Sequence, residues 1–173
     1  MEVIYKKAPH KIGYPVMQRI PTALEHIRLI AQDVLAHIDS DKEVIKIWTK
    51  GHSMLALAVM LSTELLSISK NPDIKIQICD VDHKSSHRDD IFYYSNEDYN
   101  IIIDDQFATG KTLRELRRLI NGTYTKCDML ILFYVAYYHI DENEIIQFIT
   151  DIINPDVFIT TSERFNPNKP VYG

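Results

Sequence analysis

Short apolar runs that alternate with helical patterns are the feature that most restricts how this chain can fold. Runs rich in Ile, Val and Leu predict strands at Val44–Trp48, Ile74–Cys79, Ile101–Ile103, Met129–Ala136 and Val157–Thr160. Apolar residues at helical spacing predict helices at Pro21–Ile38, Ser53–Ser67, Thr109–Ile120 and Glu142–Ile153. Strands without polar alternation are typical of a parallel sheet covered by helices on both faces. The sequence therefore predicts an α/β fold with a central, mostly parallel sheet.

Length and charge narrow the class of protein. A chain of 173 residues suits a single domain, because roughly 70% of the unfolded surface can be buried at this size. The net charge of −5 argues against a nucleic-acid binder, which needs a basic surface. No apolar run approaches roughly 18 residues, and the first residues lack the apolar core of a signal peptide. We therefore expect a cytoplasmic protein without a membrane partner, in which Cys79 and Cys127 stay reduced.

Two adjacent carboxylates follow the apolar run Ile101–Ile103. Asp104 and Asp105 are predicted to emerge at the carboxyl end of this strand, where parallel sheets bind ligands. Neighbouring carboxylates accept hydrogen bonds from two vicinal ribose hydroxyls, or hold magnesium directly or through water. The pair is therefore a candidate for sugar and Mg²⁺ binding, with solvated aspartates as the alternative.

The segment after the carboxylates is a candidate phosphate-binding loop. It consists of Ala108, Thr109, Gly110, Lys111 and Thr112. Backbone amides, two threonine hydroxyls and the positive end of the next helix converge there, and a glycine lets the backbone approach a phosphate closely. The end of the loop resembles a Walker A motif, but that motif requires glycine where Asp105 stands. A diol-binding pair beside a phosphate-binding loop indicates a site for ribose 5-phosphate.

The run Asn100–Leu113 resembles the 5-phosphoribosyl 1-diphosphate (PRPP) signature of the type I phosphoribosyltransferases. That signature is an apolar strand, Asp-Asp, a few residues and Thr-Gly-x-Thr. The resemblance implies a Rossmann-like type I phosphoribosyltransferase fold with a small N-terminal hood. In a single domain of residues 1–173, the hood and first helix would occupy residues 1–40 and the core residues 41–165. It further implies transfer of ribose 5-phosphate from PRPP to a nucleobase, Mg²⁺ as cofactor and a homodimer.

Two further segments match this family by position. Lys50, Gly51 and His52 correspond to its diphosphate-binding turn, where glycine permits a tight turn and lysine offers positive charge. Lys84, His87 and Arg88 lie in a polar segment similar to the mobile catalytic loop of the orotate-type members. The resemblance implies that these cations close over the leaving diphosphate. A solvated polar connector is the alternative for this segment.

The acceptor base and the activity itself stay open. Hypoxanthine-guanine members carry an aspartate where this chain has Ala108, so adenine, orotate or another acceptor remains. Base contacts are expected from Tyr5–Met17, Tyr137–His139 or Arg164–Phe165, although ordinary packing explains these residues equally well. The alternative to an enzyme is a regulatory protein that binds PRPP without catalysis.

Overall fold

The computed structural model describes residues 1–8, 20–42, 44–82, 94–120, 127–136 and 141–169. Its centre is a six-stranded sheet in which all neighbouring strands are parallel. The strands are β1 (Glu2–Tyr5), β2 (Ile45–Thr49), β3 (Ile76–Asp80), β4 (Tyr99–Phe107), β5 (Met129–Val135) and β6 (Val157–Thr160). The helices are α1 (Ile20–His37), α2 (His52–Ile68), α3 (Lys111–Leu119) and α4 (Glu142–Ile152). The predicted α/β class with a parallel sheet is confirmed.

Helices cover both faces of the sheet. On one face, α1 and α2 pack against strand residues that include Ile47, Ile101 and Ile103. On the other face, α3 and α4 pack against residues that include Ile102 and Leu130. Successive side chains of a strand point to opposite faces, so a strand with both faces covered needs apolar residues at every position. This is why the central strands appear in the sequence as unbroken apolar runs.

The strand order β1-β6-β5-β4-β2-β3 contains a switch point between β2 and β4. The chain passes from β2 outward to β3, then returns to β4 on the other side of β2 and continues to β5 and β6. The helix that follows β2 lies on one face and the helix that follows β4 lies on the other. The two connections therefore diverge, and a crevice opens beyond the carboxyl ends of these strands.

Strand β4 is longer than the predicted Ile101–Ile103. Its first residue, Tyr99, pairs with Ile45 of β2, and its last residue, Phe107, pairs with Val135 of β5. Asp104 and Asp105 consequently lie inside the strand, near its carboxyl end, and do not follow it. Helix α3 begins at Lys111, later than the predicted Thr109, because the loop from β4 extends to Gly110.

The N-terminal strand β1 was not predicted. It lies at the edge of the sheet, where Glu2–Tyr5 pairs in parallel with Val157–Thr160. These four residues show no long apolar run, and their partners lie near the other end of the chain. The hood assigned to residues 1–40 stays a prediction, and residues 9–19 lie outside the described part of the chain.

The two cysteines are buried free thiols. Burial raises the pKa of the Cys79 thiol to about 12, and it raises the pKa of Cys127 well above its ordinary value. Thiols with such pKa values are poor nucleophiles, which agrees with the predicted structural role. None of the helices in the described ranges combines the length and the apolarity needed to cross a bilayer.

Candidate functional site

A cleft of about 300 Å³ lies beyond the carboxyl ends of β2 and β4. Its walls come from two segments, residues 50–54 and residues 104–113. It brings together the predicted residues Lys50, Gly51, His52, Asp104, Asp105, Ala108, Thr109, Gly110, Lys111 and Thr112. Lys84, His87 and Arg88 lie outside the described residues, so the structure does not test their place in the site.

Both helices that reach the cleft begin at a glycine with positive φ. Gly51 precedes α2 with φ 84°, and Gly110 precedes α3 with φ 71°. A glycine at the N-cap has no side chain to accept hydrogen bonds from the first amides of the helix. The Lys111 N–H donates to Oγ1 of Thr109 at 3.4 Å, and further first-turn N–H groups, with the positive ends of the helix dipoles, can serve a bound anion. The cleft offers two such helix ends, one from each face of the sheet.

Gly110 is also closely packed against α4. A Cβ atom at this position would lie 2.8 Å from Cδ1 of Ile152 and 3.0 Å from Cε1 of Phe148. Arg114 fixes the same loop, because its guanidinium lies 4.8 Å from the centre of the Phe148 ring and donates a hydrogen bond to the Thr109 carbonyl at 2.7 Å. The start of α3 is thus held against α4, and the candidate phosphate-binding loop rests on a packed support.

Asp104 and Asp105 are both buried at the floor of the cleft, with 6% and 9% of their surface exposed. The backbone N–H of Asp105 donates a hydrogen bond of 2.8 Å to Oδ1 of Asp104. Burial raises the pKa of Asp104 well above its ordinary value, and the neighbouring Asp105 side chain raises it further. The ionised form of Asp104 is therefore poorly stabilised by the protein itself. A ligand that brings hydroxyl donors or a cation would stabilise it.

The donor set fits a magnesium ion that is shared with a ligand. Mg²⁺ is usually bound through one or two carboxylates together with phosphate oxygens and water. Asp104 and Asp105 supply two carboxylates at the floor of a cleft that is open to ligand. Within the described ranges, His, Cys, Asp and Glu side chains form no group of three or more that could hold a metal alone. Two carboxylates beside an open cleft suit an ion that also takes oxygen ligands from a bound substrate and water.

Lys50 is paired with carboxylates of the protein. Its Nζ lies 3.3 Å from Oε2 of Glu115 and 3.5 Å from Oδ2 of Asp82. Mainly because of the contact with Glu115, the pKa of Lys50 is raised above its ordinary value. The sequence analysis missed Glu115, although its spacing of four residues from Lys111 is a helix-pairing signal. Its contact with Lys50 had no such local signal.

The residues predicted to contact a base are only partly described. The hydroxyl of Tyr5 donates a hydrogen bond of 2.6 Å to Oε1 of Glu163. Phe165 is buried and packs edge-on against Phe158, with ring centres 5.2 Å apart. Both contacts are those of ordinary packing, which the sequence analysis had left open. Tyr137–His139 lie outside the described residues, and base recognition stays a prediction.

The parallel sheet, the helices on both faces and the cleft at the switch point define an α/β protein with a Rossmann-like fold. The fold is similar to that of a solved hypoxanthine-guanine phosphoribosyltransferase from Schistosoma mansoni in complex with IMP. The two share 10% sequence identity with a TM-score of 0.52, over 95% of this chain and 85% of that chain. No protein-family model and no curated protein matches the sequence. At this identity the similarity establishes the fold.

Proposed function

We propose that the protein is a magnesium-dependent phosphoribosyltransferase, which transfers ribose 5-phosphate from PRPP to a ring nitrogen of a nucleobase and releases diphosphate. The observation that carries this proposal is the meeting of the Asp104–Asp105 pair with two uncapped helix ends in one cleft. The similarity to a phosphoribosyltransferase fold supports a transferase at the level of class, and that protein was solved with a nucleotide, IMP.

Each part of PRPP has a chemically suitable partner in the cleft. The acidic pair suits the two ribose hydroxyls, because carboxylates accept hydrogen bonds and a diol presents two donors. The loop Ala108–Thr112 suits the 5-phosphate through backbone amides and the α3 dipole. The turn at Lys50–Gly51 and the start of α2 suit the diphosphate. Asp104 and Asp105 would hold a magnesium ion, which would supply positive charge that neutralises the leaving group.

The reaction breaks the bond from C1 of ribose to the diphosphate oxygen and forms a bond from C1 to the base nitrogen. Positive charge develops on the sugar ring in such a transition state. With a cation or the ribose hydroxyls bound, Asp104 and Asp105 would be ionised and would stabilise that charge, and the helix ends would stabilise the departing diphosphate. The protein would act by positioning and electrostatics, so no covalent nucleophile is needed.

The proposal includes adenine, orotate or a less common base as acceptor. Ala108, which is half-buried in the cleft wall, stands where hypoxanthine-guanine members carry an aspartate. An alanine offers no carboxylate to the purine ring. A homodimer in the cytoplasm remains part of the proposal, and light scattering of the purified protein tests its oligomeric state.

A second candidate is a regulatory protein that binds PRPP without turning it over. The pairing of Lys50 with Glu115 and Asp82 favours it, because a neutralised cation stabilises a leaving group less well. Catalysis and sensing share the same binding cleft and differ in the fate of the ligand.

The deciding experiment measures diphosphate release from PRPP and magnesium with adenine, hypoxanthine, guanine, xanthine, uracil and orotate in turn. A calorimetric titration of PRPP runs in parallel. Release with one base supports the enzyme and identifies its acceptor. Binding without release from any base supports the regulatory protein, and absence of both rejects the cleft as a PRPP site.

A further inference from the structure

The ion pair between Lys50 and Glu115 joins one wall of the cleft to helix α3, whose first residues belong to the other wall. Lys50 belongs to the turn between β2 and α2, whereas Glu115 belongs to α3 on the opposite face of the sheet. The Nζ to Oε2 distance is 3.3 Å, and the two side chains are 24% and 34% exposed. A partly buried ion pair is screened less than a surface pair. The contact therefore influences the charge that the cleft presents to a ligand.

Glu115 is also close to a second cation of the cleft. Its Oε1 lies 3.9 Å from Nζ of Lys111, four residues earlier on α3. Long helical side chains point back toward the helix N-terminus, and this direction brings the Glu115 carboxylate toward the start of α3. Together with Asp82, which also contacts Lys50, the cluster holds two lysines and two carboxylates. Its positive charge is compensated by the protein.

We propose that Glu115 acts as an internal competitor for Lys50, which weakens the binding of the diphosphate end of the ligand. The inference rests on the proposed function for the identity of that ligand. An arriving diphosphate must either displace the Glu115 carboxylate from the lysine ammonium or bind beside a negative charge. Both alternatives reduce affinity. Glu115 thereby sets how tightly diphosphate is held, both as part of PRPP and as released product.

The test is a calorimetric titration of magnesium diphosphate and of PRPP into four forms of the full chain. These are the wild-type protein, Glu115→Gln, Lys50→Met and the double variant. We expect Glu115→Gln to bind diphosphate about two- to fivefold more tightly, the range expected for loss of one partly exposed ion pair. We expect no such gain when the same change is made in the Lys50→Met protein, because the competition acts through the lysine.

A matched control separates the effect of the Lys50–Glu115 contact from the effect of the protein's total charge. Glu97→Gln removes the same unit of charge from an exposed residue just before β4. This residue lies at the amino-terminal ends of the strands, and the cleft lies at their carboxyl ends. Its diphosphate affinity should equal that of the wild-type protein. If Glu115 only supported the structure, its substitution would weaken diphosphate binding, whereas competition for Lys50 predicts tighter binding.

Two results overturn the inference while the proposed function stands. One is wild-type binding of diphosphate with no gain in Glu115→Gln, and the other is an equal gain with and without Lys50. Failure of the proposed function has a different outcome, because the wild-type protein would then bind neither PRPP nor diphosphate. That outcome would reject the competition together with the function.

Discussion

The backbone N–H of Asp105 donates a hydrogen bond to Oδ1 of Asp104 at 2.8 Å. One oxygen of Asp104 is thus occupied within its own strand, while both side chains still line the cleft. A buried carboxylate with so little support from the protein is costly in its ionised form. Under the proposed function, a ligand or a cation that reaches the pair would recover this energy.

Replacing Asp104 and Asp105 together by asparagine should abolish tight PRPP binding without lowering stability. The raised pKa of Asp104 means that the folded state binds its proton more tightly than the unfolded state does. The stability that Asp104 contributes is therefore present at low pH and is lost as the pH rises toward that raised pKa. Asparagine does not titrate, so the variant does not lose this stability, and its unfolding midpoint at pH 7 should equal or exceed that of the wild type.

Calorimetry measures the PRPP affinity of this variant, and thermal denaturation measures its stability. Asp151→Asn, a change at an exposed residue of α4, is the matched control and should alter neither. Unaltered PRPP affinity in the double variant would remove the acidic pair from the site.

Gly110→Ala should destabilise the protein and weaken phosphate binding. The left-handed backbone costs about 1–2 kcal/mol for a residue with a Cβ atom. The contact at 2.8 Å with Cδ1 of Ile152 adds an overpacking penalty of about 1–3 kcal/mol. The free energy of unfolding from urea denaturation measures the sum.

Ile152→Val isolates the contact with Ile152, because it deletes the Cδ1 atom that lies nearest to the new methyl. In the Ile152→Val protein, Gly110→Ala should cost less than in the wild type. Equal costs in both proteins would show that the contact with Ile152 adds nothing to the cost of alanine at this position.

His26 should make stability depend on pH between 6.5 and 4. His26 is buried, and its Nδ1 lies 2.6 Å from the Thr161 hydroxyl. Burial lowers the pKa of His26 from 6.5 to about 4. The unfolded state therefore binds the proton first as the pH falls, and stability present above pH 6.5 is lost toward pH 4.

The expected loss is on the order of 3 kcal/mol, measured by urea denaturation across this pH range. His26→Gln should flatten the decline, whereas His37→Gln, at a half-buried position near the end of α1, should leave it in place. A decline in stability of the same size in His26→Gln would show that other titratable groups cause it.

Lys84→Ala tests the polar segment that the sequence resemblance identifies as catalytic. We expect turnover to be lost while PRPP binding is nearly retained, since a loop cation would act on charge that develops in the transition state. Single-turnover kinetics and calorimetry separate the two effects. The control is Lys75→Ala, a change just before the amino-terminal end of β3 and so at the opposite end of the strands from the cleft. An unchanged rate constant in Lys84→Ala would make the segment a connector.

The sequence by itself determined the fold class, much of the element order and the position of the cleft. These features depend on local patterns, such as apolar strands that are buried on both faces. Strand β6 has the predicted bounds Val157–Thr160, and α4 begins at Glu142 as predicted. The start of α4 is locally encoded, because Asp141 and Glu144 form a reciprocal capping box. The Asp104–Asp105 pair and the loop Ala108–Thr112 likewise lie in one short segment, so the sequence alone could identify them as candidate binding residues.

Only the tertiary structure decided which distant segments meet. The edge strand β1 exists because Glu2–Tyr5 pairs with β6, and β4 extends to Phe107 because β5 pairs with that residue. The contact of Glu115 with Lys50 likewise joins segments on opposite faces of the sheet. A local pattern reports the periodicity and burial of a segment but not the identity of its neighbour. Strand register and ion-pair choice depend on that neighbour, so they are fixed when the chain packs.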